Sequence, residues 1–256
     1  MDLILVEKNA PLCWMILNRP DQRNALSLEL MLEMRRKLDL IATDDEISVI
    51  IIRGNGKAFC SGHDLKELIG EKGQSYYHHI FSTCSDLMQG LSKLPQPVIA
   101  MVHGAATAAG CQLVASCDLA IADETAKFAT PGVKIGLFCS TPMVPLSRII
   151  GKRRAFDMLL TGRFVSAEEA KEFGLINRVV PVERLEEETK RLALTIAGYS
   201  RFTVQFGKKT FYEQMNLSEK EAYEYGIKAM TKNCMHDDAQ EGMMALLEKR
   251  IPKWKV

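Results

Sequence analysis

"HGAATAAGCQLVASCD", residues 103–118, follows the apolar run Val98–Val102 and carries the chain from a strand into a helix. Small residues crowd the entry at Gly104, Ala105, Ala106, Ala108, Ala109 and Gly110, and one turn later stands Gln112, an uncharged amide. The first N–H groups of a helix have no partner within it and carry the positive end of its dipole. Small side chains let a ligand approach those groups closely. Close packing alone would select the same residues, and spacing does not separate the two readings.

An earlier stretch repeats the design. In "ISVIIIRGNGKAFCSGHDLKEL", residues 47–68, the run Ile47–Ile52 reads as a strand buried on both faces. Glycines at 54, 56 and 62 then break the chain before a helix that opens at Asp64, an acid at the capping position. His63 and Ala109 hold matching places about 46 residues apart. Strands alternating with helices predict α/β packing. Two such helix starts converging on one oxygen would form an oxyanion hole, where one donor is worth on the order of 10²–10³ in rate.

Outward from these units, Met31, Met34, Leu38 and Ile41 recur at helical spacing after Ser27, a predicted N-cap. Ser166 and Glu169 form a capping-box pattern, and Gly174 is placed to end that helix. Beyond about residue 200 strand-like runs stop. Two amphipathic helices follow, with caps expected at Ser218 and Asp237. The expected organisation is an α/β core over 1–199 and a helical region over 200–256.

Composition narrows the function. With 33 basic and 32 acidic residues there is no net attraction to nucleic acid or to an anionic membrane. No basic-then-apolar leader opens the chain, and no run approaches the ~20 apolar residues of a membrane span. Seven cysteines without a CxxC pair read as thiols in a reducing compartment, expected to be the cytoplasm. "GNGKAF" matches neither dinucleotide nor P-loop spacing, and GxSxG and HExxH are absent. Adjacent His78 and His79 point about 100° apart on a helix, which suits a shared metal poorly. Neither a metal nor a separate cofactor is expected.

Several stretches together resemble the enoyl-CoA hydratase/isomerase (crotonase) superfamily: "LNRPDQRNALS" (17–27), "GKAFCSGHDLKEL" (56–68), "PQPVIAMVHGAATAAGCQLVASCDLAIA" (95–122), "AKFATPGVKIGL" (126–137), "LTGRFVSAEEAKEFGLINRVVP" (160–181) and "DAQEGMMALLEKR" (238–250). The resemblance implies a spiral of repeated ββα units, a helical C-terminal trimerisation region, and homotrimers or hexamers. It implies binding of an acyl-CoA thioester, with coenzyme A entering as part of the substrate. It places the two oxyanion donors at the backbone N–H groups of His63 and Ala109. It draws the CoA moiety to Arg23, Ala25, Ala58, Ser61, Asp64, Leu65 and Lys66, and to Lys249 from the same or a neighbouring subunit.

The resemblance also sharpens the meaning of Gln112. Hydratases of this superfamily hold water between two glutamates, whose positions here carry Gln112 and Gly132. Glutamine cannot take up a proton at neutral pH, and glycine has no side chain. Cys139 and Ser140, in the loop after Gly136, are the candidate replacements or else line the acyl pocket. Three readings stand open: an acyl-CoA enzyme with non-standard catalytic groups, a weak conventional hydratase, and a non-catalytic acyl-CoA binder.

Overall fold

The computed structural model describes residues 2–255. The chain opens with a hairpin, β1 (Ile4–Asn9) and β2 (Leu12–Leu17), followed by helix α1 (Leu28–Ala42). Ser27 caps α1 through Leu30 N–H, and Met31, Met34, Leu38 and Ile41 are buried, as their spacing predicts. Strand β3 (Val49–Gly54) leads to the short α2 (Leu65–Gly70) and the long α3 (Gln74–Lys93). Strands β4 (Val98–Val102) and β5 (Ala105–Thr107) then precede α4 (Ala109–Ser116).

Strands β6 (Leu119–Asp123) and β7 (Lys127–Ala129) come next, with a 3-10 turn at Pro131–Ile135 and helices α5 (Met143–Ile150) and α6 (Lys152–Thr161). Strand β8 (Val165–Ser166), α7 (Ala167–Phe173), β9 (Arg178–Val180) and α8 (Leu185–Ala197) complete the α/β part. Three helices close the chain: α9 (Arg201–Gln214), α10 (Glu219–Cys234) and α11 (Asp237–Leu247).

Two sheets organise the core. The larger runs β1-β2-β3-β4-β6-β9 and the smaller β5-β7-β8. Successive turns of the chain visit the large sheet, then the small one, then a helix, which is the expected spiral of ββα units. The register makes the repeat explicit. Cys60 bridges to Ala106, and Ala106 pairs with Phe128, so one residue from each of three turns lies side by side. The 46-residue offset that relates Thr107 to Ser61 is the one that relates Ala109 to His63.

Two capping details differ from expectation. Ser166 caps α7 through Glu169 N–H, but the Glu169 carboxylate turns to Arg163, so the box is half made. His236, and not Asp237, caps α11, its Nδ1 accepting from Asp238 N–H. Ser218 and Glu221 form the full reciprocal box at α10.

Candidate functional site

The spiral brings the loop before α2 against the start of α4. A Cβ added to Gly62 would lie 2.8 Å from the Cβ of Ala108 and 3.3 Å from the nitrogen of Ala109. The loop is held on its other side by Leu26, which donates to Gly62 (2.7 Å) and accepts from Asp64 N–H (3.2 Å), leaving the N–H of His63 unused. The N–H of Ala109, first in α4, likewise meets no acceptor among the described residues. Two unpaired backbone donors thus stand at adjacent helix starts. The matching position in the next turn, three residues past Phe128, is Pro131, which has no N–H to offer.

The small residues of the opening stretch divide their work. Gly110 is a packing residue: a Cβ there would fall 2.1 Å from the Cys60 carbonyl oxygen, so α4 reaches the neighbouring turn only without a side chain at 110. Ala108 turns the chain into α4 with φ 50° and ψ −117°, a conformation sparsely populated by L residues. Its N–H donates to Ala129 at 2.8 Å, tying the helix start to β7 and the turn that carries Thr130 and Gly132.

Gln112 stands one turn into α4, its N–H donating to the Ala108 carbonyl and the residue only 4% exposed. Its Oε1 has no partner among the described residues, nor has Oγ1 of fully buried Thr130. Both ring nitrogens of His63 are also buried without a partner, and the ring packs edge-on to Phe81, centroids 5.2 Å apart. Burial pushes the His63 imidazole down to about 4, against a smaller raising effect of the Leu26 backbone, which lies near the ring without a well-formed hydrogen bond to it, so the ring is neutral at pH 7.

At the second glutamate position the backbone closes on itself. Leu137 N–H donates to the Gly132 carbonyl at 2.9 Å, and a Cβ on Gly132 would meet the Leu137 oxygen at 2.0 Å and Cys139 Sγ at 2.9 Å. The Cys139 thiol therefore sits beside the space a side chain at 132 would need. Burial raises its pKa despite a hydrogen bond from the Gly132 backbone, so it is a protonated thiol at neutral pH. Ser140 is exposed, and its hydroxyl donates back to Phe138 at 3.3 Å, with no base beside it among the described residues. Neither group is armed as a nucleophile.

The residues assigned to the CoA moiety mostly gather on one loop system. Arg23, exposed with φ 50°, accepts Ser61 N–H at 3.0 Å. Ala25 accepts from Arg19 at 2.6 Å, and Ala58 accepts from Asn24 at 2.8 Å. Leu65 and Lys66 lie exposed at the start of α2, which Asp64 caps through Lys66 and Glu67 N–H. Partial burial opposes the Asp64 charge, but the Arg19 guanidinium at 2.9 Å and the two N–H groups outweigh it and hold the carboxyl below its ordinary range. Lys249 stands apart. It follows α11, exposed with φ 54°, and no described hydrogen bond joins it to the 58–66 loop.

Two organising residues escape a reading by motif. Asn24, fully buried with φ 55°, accepts Arg19 N–H at 2.9 Å and donates to the carbonyls of Asn55 and Ala58, fastening the 19–25 loop to the 55–58 loop. An Asn between Arg and Ala in a loop is the available signal, since Asn tolerates the left-handed region. Thr130 gives no signal in sequence beyond its place before Pro131.

Comparison with known proteins agrees with this architecture. The sequence profile described as enoyl-CoA hydratase/isomerase matches residues 7–256. The chain is 48% identical over 239 residues to the mitochondrial enoyl-CoA hydratase domain-containing protein 3 of Rattus norvegicus, covering 93% of this chain and 80% of that protein. The Homo sapiens counterpart gives the same identity over 93% of this chain and 79% of its own. In three dimensions, the enoyl-CoA hydratase of Mycobacterium smegmatis superposes with a TM-score of 0.98 at 44% identity, over 99% of each chain. The human domain-containing protein 3 superposes with a TM-score of 0.96 at 45% identity, over 99% of this chain and 100% of that one. With sequence motifs, spiral register and these likenesses in agreement, the chain belongs to the enoyl-CoA hydratase/isomerase family.

Proposed function

We propose that this protein binds acyl-CoA thioesters and polarises the thioester carbonyl between the N–H groups of His63 and Ala109, stabilising an enolate without the two-carboxylate water site of a hydratase. The observation that carries this reading is the closure of the backbone over Gly132, where a Cβ would lie 2.0 Å from the Leu137 oxygen. General acid–base groups supply about 10²–10⁴-fold each when positioned. Here the first position is an amide and the second admits no side chain as the loop stands. Loss of CO₂ from a malonyl-type thioester suits such a site. The C–C bond electrons pass into the enolate held by the two N–H groups, and a proton from solvent completes the acyl product.

His63 and Cys139 each fit this reading, because the imidazole is neutral with a low pKa and the thiol is protonated. The same lack of a group poised near neutrality favours a second reading, an acyl-CoA binder without turnover. Arg23, Ala25, Ala58, Ser61, Asp64, Leu65 and Lys66 receive the CoA moiety, with Lys249 supplied from a neighbouring subunit. Exposed apolar residues in two separate regions support a cyclic homotrimer or a hexamer, in which one patch meets the other: Phe138, Phe156 and Leu160 in one, and Tyr223, Ile227 and Met230 in the other. Residues 200–256 form that oligomerisation region. Six buried free thiols fit a reducing compartment, and we assign the protein to the cytoplasm, whereas the animal relatives are named as mitochondrial. Among the described residues no helix is long and apolar enough to cross a membrane.

The test is purified protein against crotonyl-, butyryl- and methylmalonyl-CoA, with binding by calorimetry and products by mass. Decarboxylated product with negligible water addition to crotonyl-CoA is the expected result. Hydration at a typical enzymatic rate overturns the proposal, and binding without any product selects the second reading. Gln112→Glu combined with Gly132→Glu is expected not to install hydratase activity, because the second side chain displaces the 132–137 loop.

A further inference from the structure

The two unpaired N–H groups belong to loops from successive turns of the spiral, so their mutual placement depends on what holds one loop to the other. The backbone ladder between those loops stops short of the donors. Phe59 N–H donates to the His103 carbonyl at 3.0 Å, Cys60 N–H to that of Ala105 at 3.1 Å and Thr107 N–H to that of Cys60 at 2.9 Å. Beyond Cys60 no backbone hydrogen bond joins the two loops among the described residues. One side-chain bond carries the connection further: Thr107 Oγ1 donates to the Ser61 carbonyl at 3.0 Å. Ser61 stands two residues before His63, and Thr107 two residues before Ala109.

We infer that Thr107 is a positioning residue, whose hydroxyl sets the placement of the two N–H groups relative to each other and so the polarisation of the thioester carbonyl. The inference rests on the acyl-CoA reading above. The peptides leading to His63 are fixed in series. Ser61 N–H donates to the Arg23 carbonyl at 3.0 Å, the Ser61 carbonyl accepts from Thr107, and the Gly62 carbonyl accepts Leu26 N–H at 2.7 Å. The first and last of these bonds fasten the loop to the 23–26 segment. Among the described residues, Thr107 alone fastens Ser61–His63 to the 107–109 segment by a hydrogen bond. Packing does the complementary work. A Cβ on Gly62 would lie 3.0 Å from the Thr107 carbonyl oxygen and 2.8 Å from the Ala108 Cβ, so contact sets how near the loops come. The hydroxyl bond keeps them from parting. Thr107 is 9% exposed, which shelters that bond from competing water. Donors act on a developing oxyanion only when held in place, and a misplacement of about 1 Å can cost on the order of 10²-fold.

The experiment compares butyryl-CoA with S-butyl-CoA, the thioether that lacks the carbonyl, on wild type, Thr107→Val, Thr107→Ala and Thr107→Ser. Calorimetry gives the two Kd values, and isotope-edited infrared spectroscopy gives the carbonyl stretch of the bound thioester. Wild type is expected to prefer the thioester about tenfold, the equivalent of one net hydrogen bond, and to lower its carbonyl stretch. In Thr107→Val the preference should fall toward one and the stretch should return toward its value in water. The thioether, which reads the contacts to the rest of the ligand, should keep its Kd within about twofold. Thr107→Ser should restore both readouts. A merely structural role would weaken both ligands alike and leave their ratio unchanged. An unchanged ratio and stretch in folded Thr107→Val overturns the inference and leaves the acyl-CoA reading standing. If the valine variant does not fold, Thr107→Ala is read in the same way, and failure of both to fold marks the hydroxyl as structural and also overturns the inference. Wild type that binds neither ligand, or binds both alike without a shift of the stretch, overturns the reading of the two N–H groups itself, and the inference with it.

Discussion

Helix α4 ends in two kinds of polar environment. Beyond its C-terminus Asp118 accepts from Val98 N–H at 2.6 Å, Lys208 Nζ at 2.7 Å and Tyr212 OH at 2.8 Å. Lys208 spends its remaining donors on the carbonyls of Leu91 and Gln96, at 2.8 and 2.9 Å. At the N-terminus of the same helix, buried Gln112 and Thr130 and half-buried His63 have side-chain atoms unpaired. The satisfied cluster spans β4, α3 and α9, and fastens the C-terminal helices to the spiral. The unsatisfied groups belong to the segments that carry the two free N–H groups: His63 bears one of them, and Gln112 stands three residues past the other. Buried polar groups that are fully paired hold a fold together, whereas each one left unpaired calls for a reason other than the fold.

The comparison breaks most readily at Asp118. Asp118→Ala leaves the Lys208 ammonium buried at 6% side-chain exposure without its counter-ion, and strands the Tyr212 hydroxyl and Val98 N–H. Burial already pulls the Lys208 pKa below its ordinary value against the attraction of Asp118. Removing one partner of such a pair costs about 3–5 kcal/mol. Denaturant unfolding should show that loss, and a loss under 1 kcal/mol would mean that the cluster does not anchor α9.

The two ends of α4 were not equally legible from sequence. Both helix starts, at Asp64 and Ala109, were readable because local rules set them: β-branched runs, glycine breaks and a capping acid all act within a few residues. The 46-residue spacing even anticipated the register that lays Cys60 beside Ala106. The long-range pairings were not readable. Asp118 could be expected to be structural, but Lys208 and Tyr212 lie 90 and 94 residues away and nothing local points to them. Gly132 showed that an acid was missing; only the tertiary fold shows the Leu137 carbonyl filling its place. Thr130 was invisible for the opposite reason, since its distinguishing property is the lack of a partner.

A pH titration separates the ends further. Burial sets the His63 pKa at about 4 in the folded protein, against 6.5 for the ordinary group. Between those values the unfolded chain binds a proton that the folded chain does not, so His63 costs stability as pH falls through this window and the loss is complete below about pH 4. A depression of that size corresponds to roughly 3 kcal/mol. His63→Gln should remove this part of the acid lability, so the stability difference between variant and wild type should shift in the variant's favour from pH 7 to pH 4. Parallel stability–pH curves would show that the ring is solvated or paired in solution.

The smallest effect bears on the unpaired end most directly, because its sign is opposite to that at Asp118. Thr130→Val replaces a hydroxyl that has no partner with a methyl group of similar size, and Gln112→Leu removes an unpaired amide oxygen from α4. An unsatisfied buried polar group costs about 1–3 kcal/mol, part of which its removal recovers. Each variant is therefore expected to raise the unfolding free energy of the unliganded protein by about 1 kcal/mol. A gain in stability on removing a polar group is the expected mark of a group not kept for the fold. If either variant instead lost 2 kcal/mol or more, its side chain would be holding a structural partner, as Asp118 does, and the contrast between the two ends of α4 would disappear.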